Sequence, residues 1–208
     1  MLAYKFRSPN QIAYSFDALF NNRLYCADWE TLNDPVESIF GYNHLTSTQT
    51  DYSKVVTEIE REMKKLRVCS LSKTFDCHLL WAHYASGFSG LAIEVEIPDQ
   101  AEEIKHIHYG GVFSLVSMEN RGTASDIAES VLTSKYQEWA YEQEVRILSD
   151  KDWYQLATPV KRIIAGHRMN PALFQALQTV CAWQKVPFSV VGIGDEGIDA
   201  DSVLPLDE

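Results

Sequence analysis

Glycine is scarce where a phosphate-cradling loop would need it. Gly41 is the only glycine before Gly87, so no glycine-rich turn joins an early strand to a helix, and neither a dinucleotide-binding crossover nor a P-loop is supported. Positive charge is short as well: 18 Lys and Arg against 29 Asp and Glu leave a net charge of -11, which disfavours a sequence-blind grip on phosphate backbones. A local basic cleft remains compatible with that balance. Cys26, Cys69, Cys77 and Cys181 lie far apart, with no Cys-x-x-Cys and no Cys/His ladder, so reduced thiols are expected and a metal centre is not. Cys77 beside His78, with His83 nearby, does not by adjacency alone make a nucleophile and its base. Met1 to Arg7 carries no long apolar run with a small-residue cleavage site, and no stretch approaches a membrane span, so a soluble, cytoplasmic protein with no membrane partner is expected. No internal repeat is present.

What is present suits one domain. With 208 residues and 46% hydrophobic content the chain can bury a sizeable core, and residues 1–194 read as a single domain followed by an acidic, loose tail over 195–208. Leu2 to Phe6 reads as a strand, and Ser8-Pro9 opens a helix carrying Ile12, Phe16, Leu19 and Phe20. Arg23 to Trp29 is strand-like, and Asn33 to Glu37 is turn chemistry. Helical spacing runs from Asp51 to Leu66. A short strand, Val68 to Ser72, precedes a brief helix that Asp76 is expected to cap and that holds Leu79, Leu80, Trp81, His83 and Tyr84. Leu91 to Ile97 alternates as a half-buried strand with Glu94 and Glu96 outward. Ile104 to Tyr109 reads as a strand, Ser125 to Glu138 as a helix, Gln143 to Leu148 and Val160 to Ala165 as strands. Asn170-Pro171 starts a last helix and Phe188 to Ile193 a last strand. Strands and helices interleave without a regular alternation, so the fold class expected is α+β with mixed or antiparallel sheets.

The most informative stretch is Trp139-Ala-Tyr-Glu142-Gln-Glu144-Val-Arg146. Residues two apart on a strand share a face, so Glu142 and Glu144 would present two carboxylates together at a sheet edge, where a cation can be stabilised. The same glutamates also fit the solvated face of an edge strand, paired with Arg146 or Lys135. Arg7 as a surface cation, Ser70 and Ser72 as ordinary strand residues, and Trp81 and Tyr84 as core aromatics are equally open readings.

Five pieces, Tyr4-Lys-Phe-Arg7, Asn33-Asp34-Pro35-x-Glu37, Cys69-Ser-Leu-Ser-Lys73, Leu80-Trp81-Ala-His83-Tyr84 with Gly90, and Trp139-x-x-Glu142-x-Glu144-x-Arg146, span most of the chain in order. Together they resemble a bacterial family that carries only a domain-of-unknown-function label, which brings no activity with it. An arginine ending the first strand, a Ser-x-Ser strand in the middle and a late Glu-x-Glu strand are similar to the Arg, Ser and Glu-x-Glu signature of ADP-ribosyltransferases. That resemblance implies an ADP-ribosyltransferase-like fold and NAD as substrate. Glu144 would hold the ribose 2'-hydroxyl and face the oxocarbenium-like cation formed as nicotinamide leaves. Glu142 would polarise the acceptor nucleophile, and Arg7 would hold the pyrophosphate through its planar fork. Ser70 or Ser72 would position the glutamate or the ribose, and Trp81, His83 and Tyr84 would wall the nicotinamide pocket. The acceptor would be a protein or nucleic acid, and the setting a toxin or a phage-defence system with a partner protein. Two other classes fit the residues: a non-catalytic module sensing a nucleotide or protein, and a carboxylate-dependent hydrolase.

Overall fold

A computed structural model describes residues 1–34, 40–42, 52–111, 114–116, 122–195 and 197–205. In chain order the strands are β1 (Leu2–Arg7), β2 (Arg23–Tyr25), β3 (Ala27–Asp28), β4 (Phe40–Tyr42), β5 (Arg67–Ser72), β6 (Leu91–Glu96), β7 (Ile104–His106), β8 (His108–Gly110), β9 (Ser114–Val116), β10 (Ser134–Tyr136), β11 (Glu144–Ser149), β12 (Trp153–Gln155), β13 (Arg162–Ala165), β14 (Phe188–Gly194) and β15 (Gly197–Pro205). The helices are α1 (Ile12–Asn21), α2 (Tyr52–Met63), α3 (His78–Tyr84), α4 (Ala124–Leu132) and α5 (Pro171–Gln184). The main sheet runs β15-β14-β13-β6-β1-β5-β11-β7, with β3 added beside β5, and only β13 and β14 pair parallel. An α+β domain with mixed sheets is therefore what the chain forms. Among the described residues no helix is long and apolar enough to cross a membrane.

Alternation along the strands sorts the sheet into two covered faces. One face carries Ala3, Cys69, Leu71, Ile93, Val145 and Ile147 against Leu19 of α1 and Leu177 of α5. The other carries Tyr4, Phe6, Ala92 and Ile164 under Leu80 and Trp81 of α3. Further along that second face, Val68 and Leu148 pack under Ile59 and Met63 of α2 and Val131 and Leu132 of α4. Two apolar clusters thus share one face, and the ground between them belongs to polar side chains.

Several expectations change. The helix expected to reach Glu138 stops at Leu132. The hydroxyls of Thr133 and Ser134 bond back to the Glu129 and Ser130 carbonyls, competing with helical continuation. Ser134–Tyr136 then pairs with β8, which turns Lys135 inward. Glu94 is buried, not outward, because β6 is a central strand covered on both sides and Arg162 donates to its carboxylate. Asp76 does not cap α3; Cys77 occupies the cap position without a side-chain bond. The stretch expected as a loose tail pairs with β14 as the edge strand β15. Of the turn at Asn33 to Glu37, Pro35 onward lies outside the described residues.

Candidate functional site

The neighbours β1 and β5 meet at one matched pair, Tyr4 and Ser72. β1 is otherwise bonded along its length to β6, and β5 along its length to β11. Beyond the Tyr4 and Ser72 pair the two strands part, and a cavity of about 200 Å³ opens, lined by Lys5, Phe6 and Arg7 from β1 and by Ser70, Leu71 and Ser72 from β5. Lys5 Nζ reaches across the split to donate to the Ser70 carbonyl at 2.7 Å, supplying a bond the ladder lacks there. Tyr84, Lys135, Glu142 and Glu144 complete the polar wall.

Register decides the direction from which each group arrives. Tyr4 matches Ser72, and Ser72 matches Glu144, so Ser70, Ser72, Glu144 and Arg146 share the face of Tyr4 and Phe6. Lys5 and Arg7 alternate with those aromatics and enter from the opposite face. The split lets the two sets meet, which an intact sheet would prevent.

On the carboxylate side the charges are packed between the two apolar clusters. Lys135 Nζ donates to Glu142 at 2.5 Å and to Glu144 at 2.9 Å. Arg146 gives its Nε to Glu144 at 2.8 Å and its second terminal nitrogen to the same carboxylate at 3.2 Å. Its remaining terminal nitrogen bonds the Leu132 carbonyl at 2.6 Å, satisfying an open C=O at the end of α4. Buried Asp34 acts on the Arg146 guanidinium as well. Among the described residues, Asp34, Glu142 and Glu144 thus stand around Lys135 and Arg146.

The two glutamates differ in how much of their bonding capacity is used. Two Arg146 bonds and one from Lys135 engage the Glu144 carboxylate, three of the four lone-pair sites a carboxylate offers. Glu142 takes one bond per oxygen, from Lys135 and from the Tyr84 hydroxyl at 2.5 Å. It therefore retains acceptor capacity toward the cavity. Burial raises the Glu144 carboxyl above its ordinary value, against the pull of Lys135. Burial alone would lower the Lys135 ammonium, but Glu144 and Glu142 outweigh it and hold it above its usual range. Burial, with the Glu142 charge, also raises the Tyr84 hydroxyl.

The cation side is built differently. Arg7 is 7% exposed, its guanidinium lies 5.0 Å from the centre of the Tyr14 ring, and its Nε has no hydrogen-bond partner among the described residues. Burial lowers its affinity for the proton, and the groups that oppose this are thiols and phenols, not carboxylates. A buried guanidinium that faces the Cys69 sulfur and no carboxylate among the described residues gains from an added anion.

Of the residues singled out from sequence, the cavity gathers Arg7, Ser70, Ser72, Tyr84, Glu142 and Glu144. It does not gather Trp81 or His83. Trp81 is fully buried in the core under α3, stacked on Phe88 and donating to the Phe75 carbonyl. His83 is exposed beside Trp139, on the solvent side of the same helix. Nor do the glutamates form a solvated strand edge, since both are 4% exposed and Glu142 closes the 3-10 turn Gln137–Glu142 ahead of β11.

No family model, curated protein or solved structure matches the chain.

Site residues missed from sequence are Lys5, Lys135 and Asp34. Lys5 carried a signal, since Lys5 and Arg7 alternate with Tyr4 and Phe6 on an otherwise apolar strand. Lys135 was read only as a partner of the glutamates on a solvated face, and its burial in the site was missed because helical spacing spoke for a helix through it.

Proposed function

We propose that the chain binds NAD in the split between β1 and β5 and cleaves the bond between nicotinamide and ribose, passing ADP-ribose to a macromolecular acceptor. The observation that carries this reading is the meeting of Arg7, Ser70, Ser72, Glu142 and Glu144, from opposite ends of the chain, at one cavity. Its volume of about 200 Å³ is below the roughly 300–1,000 Å³ of pockets that enclose a whole drug-sized ligand. The nicotinamide and its ribose would occupy it, and the adenosine half would lie at the mouth.

In this reading the roles of the glutamates follow their open lone pairs. Glu142 accepts from the ribose hydroxyl and faces the developing cation; Glu144 holds Lys135, and through it Glu142, in place. A carboxylate about 4 Å from a full positive charge is worth on the order of 4 kcal/mol at an effective dielectric of 20, or roughly a thousandfold in rate. Arg7, with Lys5 beside it, takes the phosphate oxygens. The resemblance of Arg7, Ser70 with Ser72, and Glu142 with Glu144 to the ADP-ribosyltransferase signature supports the same reading, and a toxin or phage-defence setting follows from it.

A second reading, a nucleotide-binding module without turnover, is favoured by one observation: Glu144 already accepts two bonds from Arg146 and one from Lys135. Incubation with NAD, with and without cell lysate as acceptor, separates the two. Release of nicotinamide that is lost in Glu142→Gln supports the enzyme. Saturable NAD binding with no release supports the module, and neither binding nor release overturns both.

A further inference from the structure

A feature outside the proposed chemistry lies behind the cation wall. β3 pairs antiparallel with β5 with Ala27 opposite Val68 and Asp28 opposite Arg67, so the next opposed positions are Cys26 and Cys69. Directly opposed residues on antiparallel strands have Cα atoms about 4.5–5.5 Å apart, inside the range of about 4.4–6.8 Å that a disulfide spans. The Cys26 backbone N–H points away from β5, to the Asp152 carbonyl at 2.8 Å, so the pair is of the closer, non-hydrogen-bonded kind. The Cys26 thiol donates to the Leu24 carbonyl at 3.9 Å and lies in the electrostatic neighbourhood of Cys69, and Lys5 and Arg7 act on Cys69 from β1. Both cysteines are fully buried, yet the residues on either side of each, Tyr25 and Ala27, Val68 and Ser70, line the cavity.

We propose that Cys26 and Cys69 are a reversible oxidation site, with Cys69 as the attacking sulfur and a small hydroperoxide, entering through the split, as the oxidant. The Cys69 thiolate attacks the terminal peroxide oxygen; the S–O bond forms, the O–O bond breaks, and the alcohol leaves with a proton. Cys26 then attacks the sulfenic sulfur, the S–S bond forms, and hydroxide departs as water. One thiolate, one thiol, one hydroperoxide and one solvent proton become one disulfide, one alcohol and one water, with two electrons passing from sulfur to oxygen.

The polarity between the two sulfurs follows from their neighbours. The neighbouring Cys26 thiol lowers the Cys69 thiol, with the Lys5 ammonium and the Arg7 guanidinium acting in the same direction against burial. The neighbouring Cys69, with burial, raises Cys26. A thiolate beside cations is the reactive form. Closing the disulfide would remove the anion that faces Lys5 and Arg7 and leave their charge to the cavity.

The test uses the folded wild-type protein exposed to hydrogen peroxide, quenched by alkylation under denaturing conditions and mapped by mass spectrometry. A peptide pair joined at Cys26 and Cys69, and released by a dithiol, is expected. Both cysteines recovered as alkylated thiols, oxidation confined to half-exposed Cys77, or unlinked Cys69 sulfinate would each overturn the proposal. Cys26→Ser is expected to leave a sulfenic acid on Cys69 that a cyclic diketone captures, while Cys69→Ser leaves Cys26 unlabelled; the reverse pattern overturns the assignment of the attacking sulfur.

Discussion

Lys135 Nζ stands between the carboxylates of Glu142 and Glu144, 2.5 Å from one and 2.9 Å from the other. All three side chains are at most 5% exposed, so removing the ammonium strands two buried carboxylates against each other. Lys135→Met is expected to cost about 3–5 kcal/mol, the range for breaking a buried ion pair from one side. Urea unfolding measures it. Adding Glu142→Gln removes one of the stranded charges, so the double variant should be more stable than the sum of the singles predicts. Strict additivity would mean that Lys135 does not hold the pair together.

Arg7 makes the opposite prediction. Its one aromatic contact, with Tyr14 at 5.0 Å, is worth only about 0.5–2 kcal/mol, and its buried Nε goes unmet. Arg7→Met is therefore expected to change stability by no more than about 1 kcal/mol, and a gain fits a charge kept for a ligand. NAD binding measured by calorimetry should be lost in the same variant. A large loss of stability with binding intact would make Arg7 a structural cation.

Gly90 keeps the end of β1 in place. A Cβ there would run into the Arg7 carbonyl and crowd Ala85, and both are backbone that cannot swing aside. Gly90→Ala should cost about 3 kcal/mol or more, the upper range for overpacking. Gly111→Ala, with open space around the added carbon, should stay within about 0.5 kcal/mol. Equal melting temperatures for the two variants would refute the close approach.

Alkaline titration tests the burial of the hydroxyls around the carboxylates. Burial raises Tyr84, and it raises Tyr109 and Tyr141 to about 12 each. A raised folded value means stability that is fully present below the unfolded value of about 10 and is lost as pH rises through the folded one. The rise in tyrosinate absorbance near pH 10 should therefore leave these three out until the chain unfolds. Tyr84→Phe should leave the step near pH 10 unchanged in size; a smaller step would place Tyr84 in solvent.

Legibility from sequence followed the range of the interactions involved. Helix α5 was readable because its start is local: Asn170 caps the Ala172 and Leu173 N–H groups and Pro171 fits the first turn. The Glu142 and Glu144 pair and Arg7 were readable as candidates, and the cavity brings them together. That they arrive from opposite faces of the sheet was not readable, since it depends on β1 and β5 meeting at one pair across 68 residues of chain. The pairing of Lys135 with the glutamates was readable, but its burial was not, because helical periodicity runs on past the point at which Thr133 and Ser134 end the helix. Trp81 lies one turn from Tyr84 but is held in the core by Phe88 and the Phe75 carbonyl, and His83 turns to solvent, so neither joins Tyr84 at the cavity.

The most direct measurement is a crystal structure with ADP-ribose soaked into the protein. The account predicts the ribose within hydrogen-bond reach of Glu142 in the split between β1 and β5, with phosphate oxygens on Arg7 and Lys5. Ligand bound on another surface while the split stays closed to it would contradict the account.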